Sequence, residues 1–230
     1  MKFEFELVKG KLIKRYKRFL ADVELESGEV VTAHCANSGS MLTCLEEGAP
    51  VALTHIDDPK RKTKYTWEMI FVNNNWVGIN TSHPNKIVFD AIVNKEIKGL
   101  DVYDEVKREV KFDESRLDVV AKNSEETCVI EVKNVTMMID NIALFPDAKT
   151  SRGLKHLNTL IRLKSEGYRA VMVYIIQRGD INSFTIAKDI DPDYAEGLKN
   201  AVENGVEVFA LKANVTPEKI EIEKQVDFFL

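Results

Sequence analysis

No apolar run in this 230-residue chain approaches the roughly 20 residues that span a bilayer, so no membrane-crossing segment is expected. Cysteine is scarce: Cys35, Cys44 and Cys128 are far apart and odd in number, which excludes a disulfide framework. No CxxC pair suggests zinc, and His34, Cys35 and His83 make no triad or metal set. The opening Met1-Lys2-Phe3-Glu4-Phe5-Glu6 lacks the unbroken apolar core of a signal peptide. Together these absences point to a reducing cytoplasm. There is no internal repeat and no low-complexity tail.

Positive charge is also short overall. The formal net charge of −5 argues against a protein that coats nucleic acid along its whole surface. The mean hides local clusters, however. Lys9, Lys11, Lys14, Arg15, Lys17 and Arg18 fall in one stretch without an acid, and Lys60-Arg61-Lys62 forms a second. At 44% hydrophobic and 30% charged, the composition is that of an ordinary globular protein.

Residues 1–80 carry short alternating runs separated by turn signals at Ser27-Gly28, Asn37–Ser40, Glu47-Gly48 and Asn73–Asn75. Five to seven short strands in this length predict a small OB-like β-barrel, a fold that offers one curved face to nucleic acid. On it Lys14 and Arg18 share one strand face and Arg15 takes the other. Lys60, Arg61 and Lys62 form a turn, with Trp67 on the strand that follows. Basic residues interleaved with aromatics suit phosphate contact plus base stacking. Solvated strand edges that block aggregation give the same pattern.

Residues 81–230 alternate between the two periods. A helix starts near Thr81–Asn85 and runs to about Lys98, followed by strands at Val106–Lys111, Ser115–Val120 and Thr127–Asn134. A long irregular segment covers Val135–Lys149. Thr150 or Ser151 caps the next helix, which Gly167 ends. The unbroken apolar run Ala170–Ile176 predicts a strand buried on both faces. A helix from Asp191-Pro192 and a strand at Val206–Leu211 complete the order. The fold class is thus a two-domain α+β / α/β chain with an αβββαβ second domain.

The chemistry centres on Ser115–Asn134. Period two puts Glu131 and Lys133 on one face of their strand. A tight turn at Ser124-Glu125 sets Asp118 opposite Glu131. Like charges facing each other in a sheet repel, and a divalent cation between them reverses that. An exposed hairpin face with a salt bridge is the plainer alternative.

Asp118 and Glu131-Val132-Lys133, on adjacent strands of an αβββαβ unit, resemble the PD-(D/E)XK nucleases, in which an Asp on one strand and Glu-x-Lys on the next form the site. Leu117 stands where that family name has proline. The resemblance implies a catalytic Asp118, Glu131 and Lys133, with Mg²⁺ or Mn²⁺ held by Asp118 and Glu131. An acid on the preceding helix is often added, and Asp90 is the candidate. Arg152 and His156, on the first turns of the capped helix, suit phosphate. Thr150 and Gln177 are candidate supporting residues.

The whole chain also resembles the sugar fermentation stimulation protein A family. The matching stretches are Leu12–Phe19, Ala33-His34-Cys35 through Gly39-Ser40-Met41, Asp58–Lys62, Tyr65–Glu68, Ser115–Asp118, Glu131–Thr136, Phe145–Ala148, Arg152-Gly153 and Lys155-His156-Leu157. Ala36 and Ser38 replace an expected Pro and Thr. The resemblance implies an N-terminal OB-like domain, a nuclease-like second domain, and DNA binding with little sequence preference. Two functions stay open. One is a DNA-binding, metal-dependent nuclease. The other is a non-catalytic DNA-binding regulator of sugar (maltose) metabolism that keeps the nuclease fold. Oligomeric state is left open, a homodimer included.

Overall fold

The computed structural model describes residues 1–112 and 115–230. The first sheet holds β1 (Val8–Tyr16), β2 (Leu20–Leu25), β3 (Val30–Cys35), β4 (Pro50–His55), β5 (Tyr65–Val72) and β6 (Asn75–Gly78). Its order is β3-β2-β1-β4-β5-β6, and a parallel β3–β5 pairing joins its ends. Strands β1 to β5 therefore form a closed five-stranded OB barrel, with β6 appended to β5. Closure removes the free edges that a five-stranded sheet would otherwise expose. Alternation decides what fills it: Ala21, Val23 and Leu25 of β2 are buried while Glu24 between them is exposed. Gly10 permits close approach, since a side-chain carbon there would fall 2.6 Å from the Glu24 carbonyl oxygen.

The barrel corrects one expectation directly. Trp67 is fully buried in the barrel core, and its indole Nε1–H donates to the Met69 carbonyl at 2.9 Å. It cannot stack on a base. Period two gives two faces to a strand without saying which one the barrel turns inward. Here the large aromatic went in, as its apolar area favours. Between β3 and β4 the chain turns at residues 42–44. The strand expected to run to Phe19 stops at Tyr16, because Lys17 and Arg18 turn the chain with positive φ.

The second domain is built on a six-stranded sheet. It contains α1 (Pro84–Val93), β7 (Glu105–Phe112), β8 (Ser115–Lys122), β9 (Thr127–Val135), β10 (Met137–Ile139), β11 (Ile142–Phe145), α2 (Ser151–Ser165), β12 (Arg169–Ile176), β13 (Ser183–Ile186), α3 (Pro192–Glu203), β14 (Glu207–Val215), β15 (Ile220–Gln225) and β16 (Asp227–Phe229). The main sheet runs β15-β14-β12-β9-β8-β7. β12 lies parallel between β9 and β14, which is why Ala170–Ile176 is buried throughout. Helix α1 packs on one face, with Ile87, Val88, Ala91 and Ile92 inward, and α2 and α3 pack on the other. This is the expected αβββαβ order, with the β10–β11 hairpin inserted before α2 and helices covering both faces of the main sheet. The segment Val135–Lys149, expected to be irregular, forms the β10–β11 hairpin of a second small sheet, β10-β11-β13-β16. Helix α1 ends at Val93, short of Lys98, where Lys95 takes a positive φ.

The two halves share a core. Leu7, Ala52 and Met69 of the barrel pack with Ile87, Val88 and Ile92 of α1. The connection is clasped by a buried carboxylate: Glu68 of β5 accepts from Thr54 Oγ1 (2.8 Å) and Asn80 Nδ2 (2.7 Å) and meets His83 Nε2 at 2.6 Å. This fixes the start of α1 relative to the barrel. No helix among the described residues is long and apolar enough to cross a membrane.

Candidate active site

The β8–β9 hairpin sets the geometry. Asn123 Oδ1 accepts the backbone N–H groups of Glu125 and Glu126, each at 2.9 Å, which makes the tight turn. Register then runs from Lys122↔Thr127 to Val119↔Ile130. This is the register that brings Asp118 toward Glu131. Beyond Val119 the Asp118 carboxylate itself engages the neighbouring strand: Oδ2 accepts the Val132 N–H at 2.8 Å. Its Oδ1 accepts from Asn85 Nδ2 of α1, also at 2.8 Å. Asn85 was not singled out in the sequence. It follows Pro84 in the first turn of α1, and only the fixed start of that helix aims it at β8.

Glu131 is the buried centre, its side chain 4% exposed. Its Oε1 accepts from Lys133 Nζ at 2.6 Å and contacts His156 Nδ1 of α2. Lys133 Nζ lies 3.1 Å from the same His156 nitrogen. Arg152, one turn earlier on α2, donates from Nε to His156 Nε2 at 3.3 Å. Thr150 caps the helix by accepting the Gly153 N–H at 3.0 Å, and Asp191 of the α3 cap holds the Thr150 N–H at 2.7 Å. These contacts place the N-terminus of α2, with its basic residues, over Glu131.

The two carboxylates sit in different fields. Burial, and then the Glu131 charge, push the Asp118 pKa up to about 6. Burial alone would raise Glu131 too, but the His156 hydrogen bond and the Lys133 charge override it and hold that pKa low. Ionised Asp118 therefore costs the folded state free energy above pH 6. The cost is relieved as pH falls through 6 toward the ordinary Asp value of 3.8, because the folded chain then binds the extra proton. A difference of that size corresponds to at most about 3 kcal/mol. In EDTA, the stability difference between wild type and Asp118→Asn is expected to shift in favour of wild type by about 1–2 kcal/mol between pH 7.5 and pH 5. Urea denaturation at both pH values measures this, and a gap that does not change with pH would count against the raised pKa.

The remaining residues divide clearly. A cavity of about 530 Å³ between the barrel and the second domain is lined by Arg18, Asp118, Glu131, Lys133, Thr150, Arg152 and His156 among others. Arg116 and Lys149, unmarked in the sequence, line it too. Arg15 does not offer its guanidinium to a ligand: it binds the carbonyls of Asn37 (2.8 Å), Gly39 (3.0 Å) and Ser40 (3.1 Å). Lys14 is exposed beside Asp22, and Lys60, Arg61 and Lys62 lie on a barrel turn away from the cavity lining. Asp90, the expected third acid, is bound to Lys86 at 2.6 Å and faces a separate depression with Met1, Lys2 and Lys219. Five residues along α1 from Asn85, it lies more than one turn away and points elsewhere. Gln177 is wholly buried outside the cavity lining; its Nε2 donates to Asn134 Oδ1 at 2.6 Å. It supports β9 from behind and does not reach a ligand in the cavity.

An OB barrel joined to an α/β domain of αβββαβ order, with Asp, Glu and Lys gathered at the junction, defines the class. The first half matches the model of the SfsA N-terminal OB domain over residues 13–79, and the second matches the sugar fermentation stimulation protein RE domain over residues 82–219. The chain belongs to the sugar fermentation stimulation protein family. It is 48% identical to the homolog from Geotalea uraniireducens, covering 96% of both chains, and 46% identical to that from Marinomonas sp., covering 98% of this chain and 89% of the other. The solved structure of Pyrococcus furiosus SfsA in complex with Ca²⁺ is 26% identical, with a TM-score of 0.90 over 100% of this chain and 98% of that one.

Proposed function

We propose that the chain is a metal-dependent phosphodiesterase acting on nucleic acid, DNA in the first instance, with little sequence preference. The observation that carries this reading is the meeting of Asp118, Glu131 and Lys133 in one cavity that Arg18, Lys149 and Arg152 also line, with Arg116 beside Glu109. A binding protein needs the cations; it has no use for a carboxylate pair, Glu131 buried and Asp118 half-buried, among them, since carboxylates repel phosphate.

The donor set fits a hard cation. Asp118, Glu131 and the Val132 carbonyl supply oxygen ligands, and a set this small suits Mg²⁺ or Mn²⁺, which keep several waters. The raised Asp118 pKa, with Glu131 as its second cause, is the repulsion that such an ion relieves. The relative from P. furiosus was solved with Ca²⁺, another oxygen-seeking ion, which supports the same reading here. Bound there, the metal would acidify a water and neutralise charge on the phosphate. The chain's own residues do the rest. Arg152 and the N-terminus of α2 hold the phosphate. Lys133 orients the attacking water, takes its proton or stabilises the developing charge. Water oxygen bonds to phosphorus, the bond to the leaving sugar oxygen breaks, and that oxygen gains a proton.

The second reading, a non-catalytic DNA-binding regulator of sugar (maltose) metabolism, has one observation in its favour. Lys133 and His156 both bind Glu131, which reduces the negative charge left for a cation. Incubation of the purified protein with single- and double-stranded DNA and RNA, in Mg²⁺, Mn²⁺ or EDTA and beside Lys133→Ala, separates the two. Metal-dependent cleavage lost in the variant supports the phosphodiesterase. Binding without cleavage of any substrate supports the regulator.

A further inference from the structure

We propose that the site takes the free end of a single strand, with the terminal nucleotide in the inter-domain cavity and the rest of the strand leaving between β8 and α2. This deepens the phosphodiesterase reading and rests on it. The first observation is that the cavity is bridged on its barrel side. Asp147, after β11, accepts the Met41 N–H at 3.0 Å and the Ser40 hydroxyl at 3.4 Å. Gly39 lies so tightly against the same carboxylate that a side-chain carbon could not be added without displacing it. Arg15 holds this loop from behind through the three carbonyls named above. Two walls of the cavity thus touch, through a contact braced from the barrel. A continuous strand threaded past the barrel would have to break that contact.

The second observation is a way out on the other side. A depression of about 290 Å³ shares Arg116, Glu131, Arg152 and His156 with the cavity and continues past them to Lys155 and Thr159 of α2. Arg116, Arg152 and Lys155 are exposed. Arg116, whose Nε also meets the Glu109 carboxylate at 3.0 Å, stands on one flank and Arg152 and Lys155 on the other, so the groove that starts at the carboxylates forms a phosphate track leading away from the cavity. Size is the third observation. A cavity of about 530 Å³ lies within the roughly 300–1,000 Å³ that accommodates one small organic ligand, the scale of a nucleotide and not of a paired duplex. Hydrolysis at Glu131 would then release short products from the end: water oxygen joins phosphorus, the bond to the adjoining sugar oxygen breaks, and the released sugar hydroxyl carries the proton.

The test compares a linear single-stranded DNA with the same sequence closed into a circle. With wild-type protein and Mn²⁺, the linear strand should shorten from an end to mononucleotides or dinucleotides while the circle stays intact. With Lys133→Ala and Mn²⁺, the linear strand should bind at least about tenfold tighter than the circle by fluorescence anisotropy. Asp147→Ala, which removes that bridge, should narrow that ratio. Circles cut as fast as linear strands, or both forms bound equally, would overturn the proposal. End-selective binding without any cleavage would uphold the end preference and sink the catalytic reading on which it was built. Binding of neither form would overturn both.

Discussion

Lys133→Ala is expected to lower cleavage by about 10²–10⁴-fold, the usual worth of a positioned acid–base group, while divalent-cation binding stays as tight or tightens. The two effects part because Lys133 has two relationships in the site. Its ammonium is 2.6 Å from Glu131, where it competes with any cation for that carboxylate. Removing it leaves His156 as the remaining partner of Glu131 Oε1 and makes the pocket more negative. Metal therefore gains and the water-activating or charge-stabilising step loses. Calorimetry with Mn²⁺ and a cleavage assay on the same preparation read both. A purely structural lysine would instead weaken binding and activity together, with lower thermal stability. Lys133→Arg provides a useful contrast. It keeps the charge but replaces a compact ammonium with a wide guanidinium that does not give up its proton. Rescue of cleavage by arginine would favour charge stabilisation over proton transfer.

The second large effect lies behind the site. Arg178 is fully buried just after β12. Asp180 meets it with both oxygens, at 2.6 and 2.7 Å, and the Thr136 carbonyl takes a third hydrogen bond at 2.7 Å. Asp180→Ala leaves a buried guanidinium with only a carbonyl partner, and should destabilise the chain by about 3–5 kcal/mol. Arg178→Met together with Asp180→Ala should recover much of that, because the uncompensated charge is gone. Burial would raise the Asp180 pKa, but the Arg178 guanidinium overrides it and holds the carboxyl below its ordinary 3.8. The folded pKa is depressed, so the stabilisation is present above pH 4 and is lost as pH falls through the folded value. Urea denaturation at pH 7, followed by acid titration, measures both. A loss below 1 kcal/mol at pH 7 would show that water reaches the guanidinium.

The fold was readable to different depths in different places. Ala170–Ile176 announced a doubly buried strand because nothing polar interrupts it. The capped starts of α2 and α3, at Thr150 and Asp191-Pro192, came from side chains that satisfy open N–H groups. Val135–Lys149 was not readable. Its hairpin is three to four residues per strand, too short for a period to appear, and it pairs with β13 from far along the chain. Trp67 failed for a different reason. Aromatics beside basic residues look alike whether they face a ligand or a core, and barrel closure alone decides. Asp90 failed because a helix position says nothing of which turn faces the neighbouring strand.

By itself, the sequence determined the barrel, the layered second domain, the family and the local hairpin that turns Asp118 toward Glu131. The family came from the resemblance of stretches spread along the whole chain; the other features depend on periodicity, turn chemistry and spacing, which act over a few residues. Tertiary structure decided the rest of the site. It brought Asn85 to Asp118, His156 to Glu131, and the Asp147 carboxylate to the Ser40–Met41 backbone, contacts spanning 33, 25 and about a hundred residues. It also withdrew Arg15 and Trp67 from the surface that their residue types suggested. Which cations remain free for phosphate depends on which carbonyls and carboxylates they meet first, and packing of the barrel against the second domain sets that.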